Sequence, residues 1–211
     1  MTTTPMTGPE TGEALLLVAV TSALRSLLEN GLFRYQIPAA IGTDVLFSAL
    51  PPDRIQTGEE ERAQINLFLF QAAPRGLLPR SRYAPAETDT ESDRRAPGGS
   101  VEMTYLLTVF GVQDLHCDML LGFILSMLRE TPSLSGAVLK RTLANLASAQ
   151  GGRFVLPALT AVQASPLMDR ISEVRLTPQN LPMEQQSQIW ALLQSRYRPT
   201  LFCKVTVMFH A

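Results

Sequence analysis

Three alternating stretches constrain this chain more than anything else in it. In Val101 to Phe110, the residues Val101, Met103, Tyr105, Leu107 and Val109 share one side of an extended strand, opposite Glu102, Thr104, Leu106, Thr108 and Phe110. Ile65 to Gln71 repeats the pattern, with Ile65, Leu67 and Leu69 on one side and Phe68 and Phe70 on the other. Thr200 to His210 does so again, Leu201, Cys203, Val205, Val207 and Phe209 alternating with Phe202, Lys204, Thr206 and Met208. Period-two patterning is the mark of a β-strand, because successive side chains point to opposite faces. Two weaker strands are read at 43–50, stopped by Pro51 and Pro52, and at 171–177, where Val174 and Leu176 oppose Glu173 and Arg175.

Helical spacing separates these strands. The first helix is expected from an N-cap at Thr11, with Glu13 in its first turn, to about Glu29, where Asn30 and Gly31 suit a left-handed stop. Asp114 reads as the cap of a helix from about Leu115 to Glu130, with Cys117, Leu120, Leu121, Ile124, Leu125 and Leu128 as its apolar face. Met119 and Phe123 fall outside that face, so the helix needs cover on more than one side, from its own chain or from a partner. Further helices are read over 135–149, ended by Gly151-Gly152, and over 182–195, with Pro182 in the first turn and Ile189, Trp190, Leu192 and Leu193 inward. Residues 153–168 show no assignable period.

The interleaved order implies an α/β (α+β) fold, a single mixed sheet flanked by helices. A length of 211 residues suits one domain over 11–211, preceded by a loose tail at 1–10. A long loop is expected at 72–100, rich in Pro and Arg and without a period. Its charges are segregated: Arg75, Arg80 and Arg82, then Glu87, Asp89, Glu91 and Asp93, then Arg94 and Arg95.

Composition narrows the function. A formal net charge of -1 argues against a nucleic-acid footprint. The apolar run Ala14 to Val20 is far shorter than a membrane span and lacks the flanks of a signal peptide. The expected compartment is the cytoplasm. Cys117 and Cys203 read as reduced thiols among apolar neighbours. His116 and His210 are the only histidines, and His116-Cys117 are adjacent and diverge, so no zinc site, other metal site or cofactor site is predicted. There is no nucleophile elbow and no phosphate-binding loop, and no catalytic residue is assigned. Trp190 and Tyr197 are read as a recognition pair or, more simply for the Trp, as core.

Five stretches together resemble the cap or tail-terminator proteins of phage-tail-like extracellular contractile injection systems, in their N-terminal domain. They are the opening helix with Leu24, Leu27 and Leu28, then Ile65-Asn66-Leu67-Phe68-Leu69-Phe70-Gln71 and Tyr105-Leu106-Leu107-Thr108-Val109-Phe110-Gly111. Leu120-Leu121-Gly122 with Leu128-Arg129-Glu130-Thr131-Pro132 is the fourth; Val174-Arg175-Leu176-Thr177-Pro178 with Ile189-Trp190 and Arg196-Tyr197-Arg198-Pro199 is the fifth. Pro182 departs from the pattern, standing where the family has a capping Ser or Thr.

The resemblance implies a tail-terminator-like fold and structural work without catalysis. It implies a hexameric ring of copies of this chain that closes the inner tube and the sheath. It also implies assembly in the cytoplasm into a phage tail-like particle open to release, with no membrane or nucleic-acid partner. In such tails sheath subunits share strands with neighbours, so an open sheet edge is expected to take one. The first expected contact is Thr200 to His210 as that edge, with Phe202, Lys204 and Met208 on its second face. The second is the loop, through Arg80, Arg82, Arg94 and Arg95; the third is Met119 and Phe123. The alternative is a small regulatory or ligand-binding α/β module with a cryptic pocket.

Overall fold

The computed structural model describes residues 15–75, 99–148 and 167–210. Thr11, the 1–10 tail, residues 76–98 of the expected loop and the unassigned stretch up to residue 166 lie outside them. In chain order the elements are helices α1 (Leu16–Arg34) and α2 (Ile37–Ile41), strands β1 (Leu46–Ser48), β2 (Gln64–Arg75) and β3 (Ser100–Phe110), and helix α3 (His116–Glu130). There follow β4 (Ser133–Ser135), α4 (Gly136–Ser148), the short α5 (Leu167–Arg170), β5 (Ile171–Gln179), α6 (Met183–Leu192) and β6 (Thr200–Phe209).

One six-stranded sheet holds them together in the order β1-β2-β3-β6-β5-β4. β1 runs parallel to β2, and every other pair is antiparallel, so the sheet is mixed as expected. The alternating patterns set its two faces. Ile65, Leu67, Met103, Tyr105, Leu107, Val109, Cys203, Val205 and Val207 enter the main core beneath α1, α3 and α4. On the opposite face Leu106, Phe202 and Trp190 form a smaller core under α6, with Phe68, Ile189 and Leu193 against it. A two-sided sheet explains why Leu67 to Phe70 of β2 and Tyr105 to Leu107 of β3 are apolar at consecutive positions.

Tertiary packing moves several expected boundaries. α1 does not stop at Asn30 and Gly31 but runs on to Arg34. Gly31 serves close approach instead of a turn: a Cβ there would meet Met127 Sδ of α3 at 2.6 Å. α3 begins at His116, and its N-cap is Leu115 at φ 66° with no side-chain cap, so Asp114 does not cap it. The buried face of α3 is rotated from the expected one. Phe123 and Met127 point in, and Leu125 is exposed, because α1 as well as the sheet packs on this helix. His116 is buried. β2 continues through Arg75 and β3 begins at Ser100, which shortens the expected loop at both ends. By length and composition α1 can cross a bilayer, with a mean hydropathy of 1.3 over an 18-residue window, yet half of that window lies inside the fold.

Candidate functional site

Among the described residues the sheet has two edges, β1 and β4, each three residues long. β4 carries two exposed serines around buried Leu134 and leads straight into α4. β1 is different. Beside it α1, the α2 turn and residues 44–50 border an open groove lined by Arg25, Glu29, Phe33, Asp44, Leu46, Phe47 and Leu50. Phe33 is 76% exposed, Leu46 42% and Leu50 46%. Large apolar side chains gathered beside a strand edge that has no partner among the described residues are the usual ingredients of strand addition. Arg25 donates from Nε to Glu29 at 2.7 Å along the upper wall.

The edge is held in place by a buried amide. Asn66 on β2 is fully buried, and its Oδ1 accepts from Ser48 Oγ at 2.7 Å and from the Leu50 N–H at 3.1 Å. Its Nδ2 donates to the Leu50 carbonyl at 2.8 Å. Three bonds from one side chain fix residues 48–50 where the chain leaves the sheet, and a buried amide without them would be costly.

A second anchor lies at the end of the sheet where β3 stops. Arg198 donates to both oxygens of Glu61 at 3.0 Å each, and its guanidinium lies 5.4 Å from the centre of the Phe110 ring. Glu61 also accepts from the Gly111 N–H at 3.3 Å. Both side chains are mostly covered, so the planar bidentate pair works in a site of reduced dielectric. Trp190 stands edge-on to Tyr197 with ring centres 5.8 Å apart, and it is core.

The expected contact residues separate into four groups. β6 lies in the middle of the sheet between β3 and β5, so Thr200–Phe209 is not an edge. Strand order is a tertiary property, and the local alternation of β6 is the same for a central strand as for an edge. Phe202 is 2% exposed beneath α6, and Phe123 is 3% exposed against Tyr35, so neither is presented to a partner by this fold. Met119 is partly buried against the main core. Lys204 and Met208 are half-buried, Lys204 lying 3.6 Å from Glu102. Hydrogen bonding from Arg75, helped by the charge of Lys204, holds the Glu102 carboxyl below the usual range. Arg80, Arg82, Arg94 and Arg95 lie outside the described residues.

Among the described residues no group of three His, Cys, Asp or Glu side chains is placed to hold a metal ion. Both cysteines are free thiols. Burial pushes Cys203 up to about 11 and raises Cys117, the opposite of what a nucleophilic thiolate requires.

The family model described as the Pvc16 N-terminal domain matches residues 19–211. The chain belongs to the Pvc16 N-terminal domain family. Among solved structures, the chain is similar to the sheath/tube terminator of an extracellular contractile injection system, PVC, in its extended state. The two are 18% identical with a TM-score of 0.47, over 92% of this chain and 56% of that one. The chain thus spans little more than half of that neighbour. No curated protein matches the chain.

The motifs that resemble the Pvc16 N-terminal domain family now have physical roles. Ile65-Asn66-Leu67-Phe68 places the Asn66 clamp between two core residues, and Arg198-Pro199 supplies the Glu61 partner just before β6. Sequence reasoning missed the groove. Its strand was legible only weakly at 43–50, and Phe33 was hidden by an expected helix end at Asn30.

Proposed function

We propose that this member of the Pvc16 N-terminal domain family is a structural cap. Six copies form a ring that ends the inner tube and sheath of a contractile injection particle. The observation that carries this reading is the family match across residues 19–211, nearly the whole chain. The edge of β1 supports it physically. A terminator must grip the last polymer layer without offering a site for the next, and a short edge strand flanked by Phe33, Leu46 and Leu50 can take one extended segment from a sheath subunit. Ring closure follows where head-to-tail contacts between identical copies have a rotation that closes. The cap forms in the cytoplasm and travels with the particle.

Co-expression with sheath and tube proteins tests the proposal. Capped particles of uniform length should form, and light scattering of the isolated chain should give the mass of a closed ring at high concentration. A chain that stays monomeric at all concentrations, leaves particle length unchanged and is absent from purified particles would overturn it.

A further inference from the structure

Three segments meet at one end of the sheet, where β2 begins, β3 stops and β6 begins. Arg198 holds both oxygens of Glu61, and Glu61 holds the Gly111 N–H, so residues 59–62, 111–115 and 196–198 are stapled together. On this staple the fold displays Val112, Leu115 and Tyr197, all largely exposed. Leu115 is displayed at a cost. It sits at φ 66°, a conformation that a bulky side chain avoids and a glycine takes freely. A large apolar side chain held in solvent on a left-handed backbone serves a contact and not the packing of its own chain. Around it the exposed carboxylates Glu59, Glu60, Asp114 and Asp118 outnumber the exposed guanidiniums Arg62 and Arg196.

The other end of the sheet has the opposite sign. Arg75 closes β2 there, and Arg170 accepts from the His210 N–H just beyond β6. Among the described residues Arg75, Lys140, Arg141, Arg170 and Arg175 outnumber Glu102, Asp169 and Glu173 around this end. Residues 76–98, which join β2 to β3 at this end, carry equal numbers of each sign and leave the balance as it is. β3 is 11 residues long, so the two ends lie ~35 Å apart, several screening lengths at physiological salt.

We infer that the Val112, Leu115 and Tyr197 end of one copy seats on the basic end of a second copy. Unlike surfaces at opposite ends of a subunit make a heterologous contact, the kind that runs head to tail and closes into a ring when the rotation permits. An apolar centre with a charged rim is the anatomy of a specific protein interface. The acidic rim turns away anionic membranes and nucleic acids and calls for a basic protein surface, which the far end of the same chain supplies. The inference rests on the ring of the proposed function. It names the surface between copies and leaves the groove beside β1 to the sheath.

Sedimentation of the full chain is the test. Val112→Asp with Leu115→Asp should weaken self-association at least tenfold at an unchanged melting temperature. Leu115→Gly, which relieves the backbone and removes the side chain, should weaken it several-fold and decides the matter if the double variant does not fold. Glu59→Arg with Glu60→Arg, and separately Arg75→Glu with Arg141→Glu, should each weaken association, and all four changes in one chain should restore it. A wild-type chain that is monomeric at every concentration would overturn the inference together with the ring. A ring left intact by the folded apolar variants would overturn the inference alone. So would charge reversals without mutual rescue, or a loss of particle incorporation with the ring preserved, which would assign this end to the sheath or the tube.

Discussion

At the scale of single residues, two glycines show how the same substitution differs with what it meets. A Cβ on Gly31 would press on Met127, a flexible side chain that can move aside, whereas one on Gly136 would press on the backbone carbonyl of Ile171, which cannot. Gly31→Ala should therefore cost about 1 kcal/mol or less, helped by alanine's helix propensity, and Gly136→Ala about 3 kcal/mol or more. Urea denaturation of both variants checks the order; equal losses would refute the assignment. Asn66→Leu should cost about 2–3 kcal/mol and speed amide exchange at 46–50 before the rest of the sheet, since it removes three bonds. Uniform exchange would mean that the amide does not pin the edge. Cys203 gives a prediction in pH. Burial raises its thiol from 9.0 to about 11. The folded chain thus holds this proton more tightly than the unfolded one. The stability involved is fully present below pH 9 and is lost as pH rises through 11, by about 2–3 kcal/mol at ~1.4 kcal/mol for each tenfold step. Buried Tyr105, also raised, adds a loss of the same sign at higher pH. The advantage of wild type over Cys203→Ala should shrink across that window, and parallel stability curves would refute it.

At the scale of elements, α6 is the simplest case. It is held to the sheet mainly by Trp190, the single tryptophan of the chain, on Leu106 and Phe202. Trp190→Ala should cost about 3–5 kcal/mol, and in wild type the Trp emission should redden together with the loss of sheet signal if α6 and the sheet unfold as one. A fluorescence transition well before the sheet signal would show that the helix is a separable cover. How far the elements were readable follows from the same physics. Periods of two and of 3.6 are local, so β2, β3, α3, α4, α6 and β6 were visible to within a few residues. The end of α1 and the start of α3 were not, because Gly31 answers to Met127 across the core and Leu115 adopts a left-handed conformation without a side-chain cap. The sheet edges could not be read at all: position in a sheet depends on partners distant in sequence, and β6 was wrongly placed at the rim for that reason.

At the scale of the whole molecule, the proposed assembly calls on surfaces that the isolated fold does not need. Phe33 and Leu50 lie in the groove beside β1 and are largely exposed. Replacing both by Glu should leave the melting temperature within about 2 °C of wild type, as surface substitutions usually do, while abolishing incorporation into sheath-bearing particles. Retained incorporation would move the contact elsewhere. A fall in melting temperature to match a loss of assembly would mean that these side chains support the fold.

The central place of β6 also governs how the protein is made. β3 pairs with a strand about a hundred positions further along, from Ser100 against Met208 to Thr108 against Thr200. The middle of the sheet therefore stays split during translation: β2 with β3 on one side, β5 with β4 on the other, and the apolar flanks of both uncovered until Phe209 has cleared the ribosome. Long-range pairings of this kind form slowly, and their open edges favour aggregation. On the proposed role, synthesis and ring building would be separated in time, since a chain still attached to the ribosome has no finished surface to offer its neighbours.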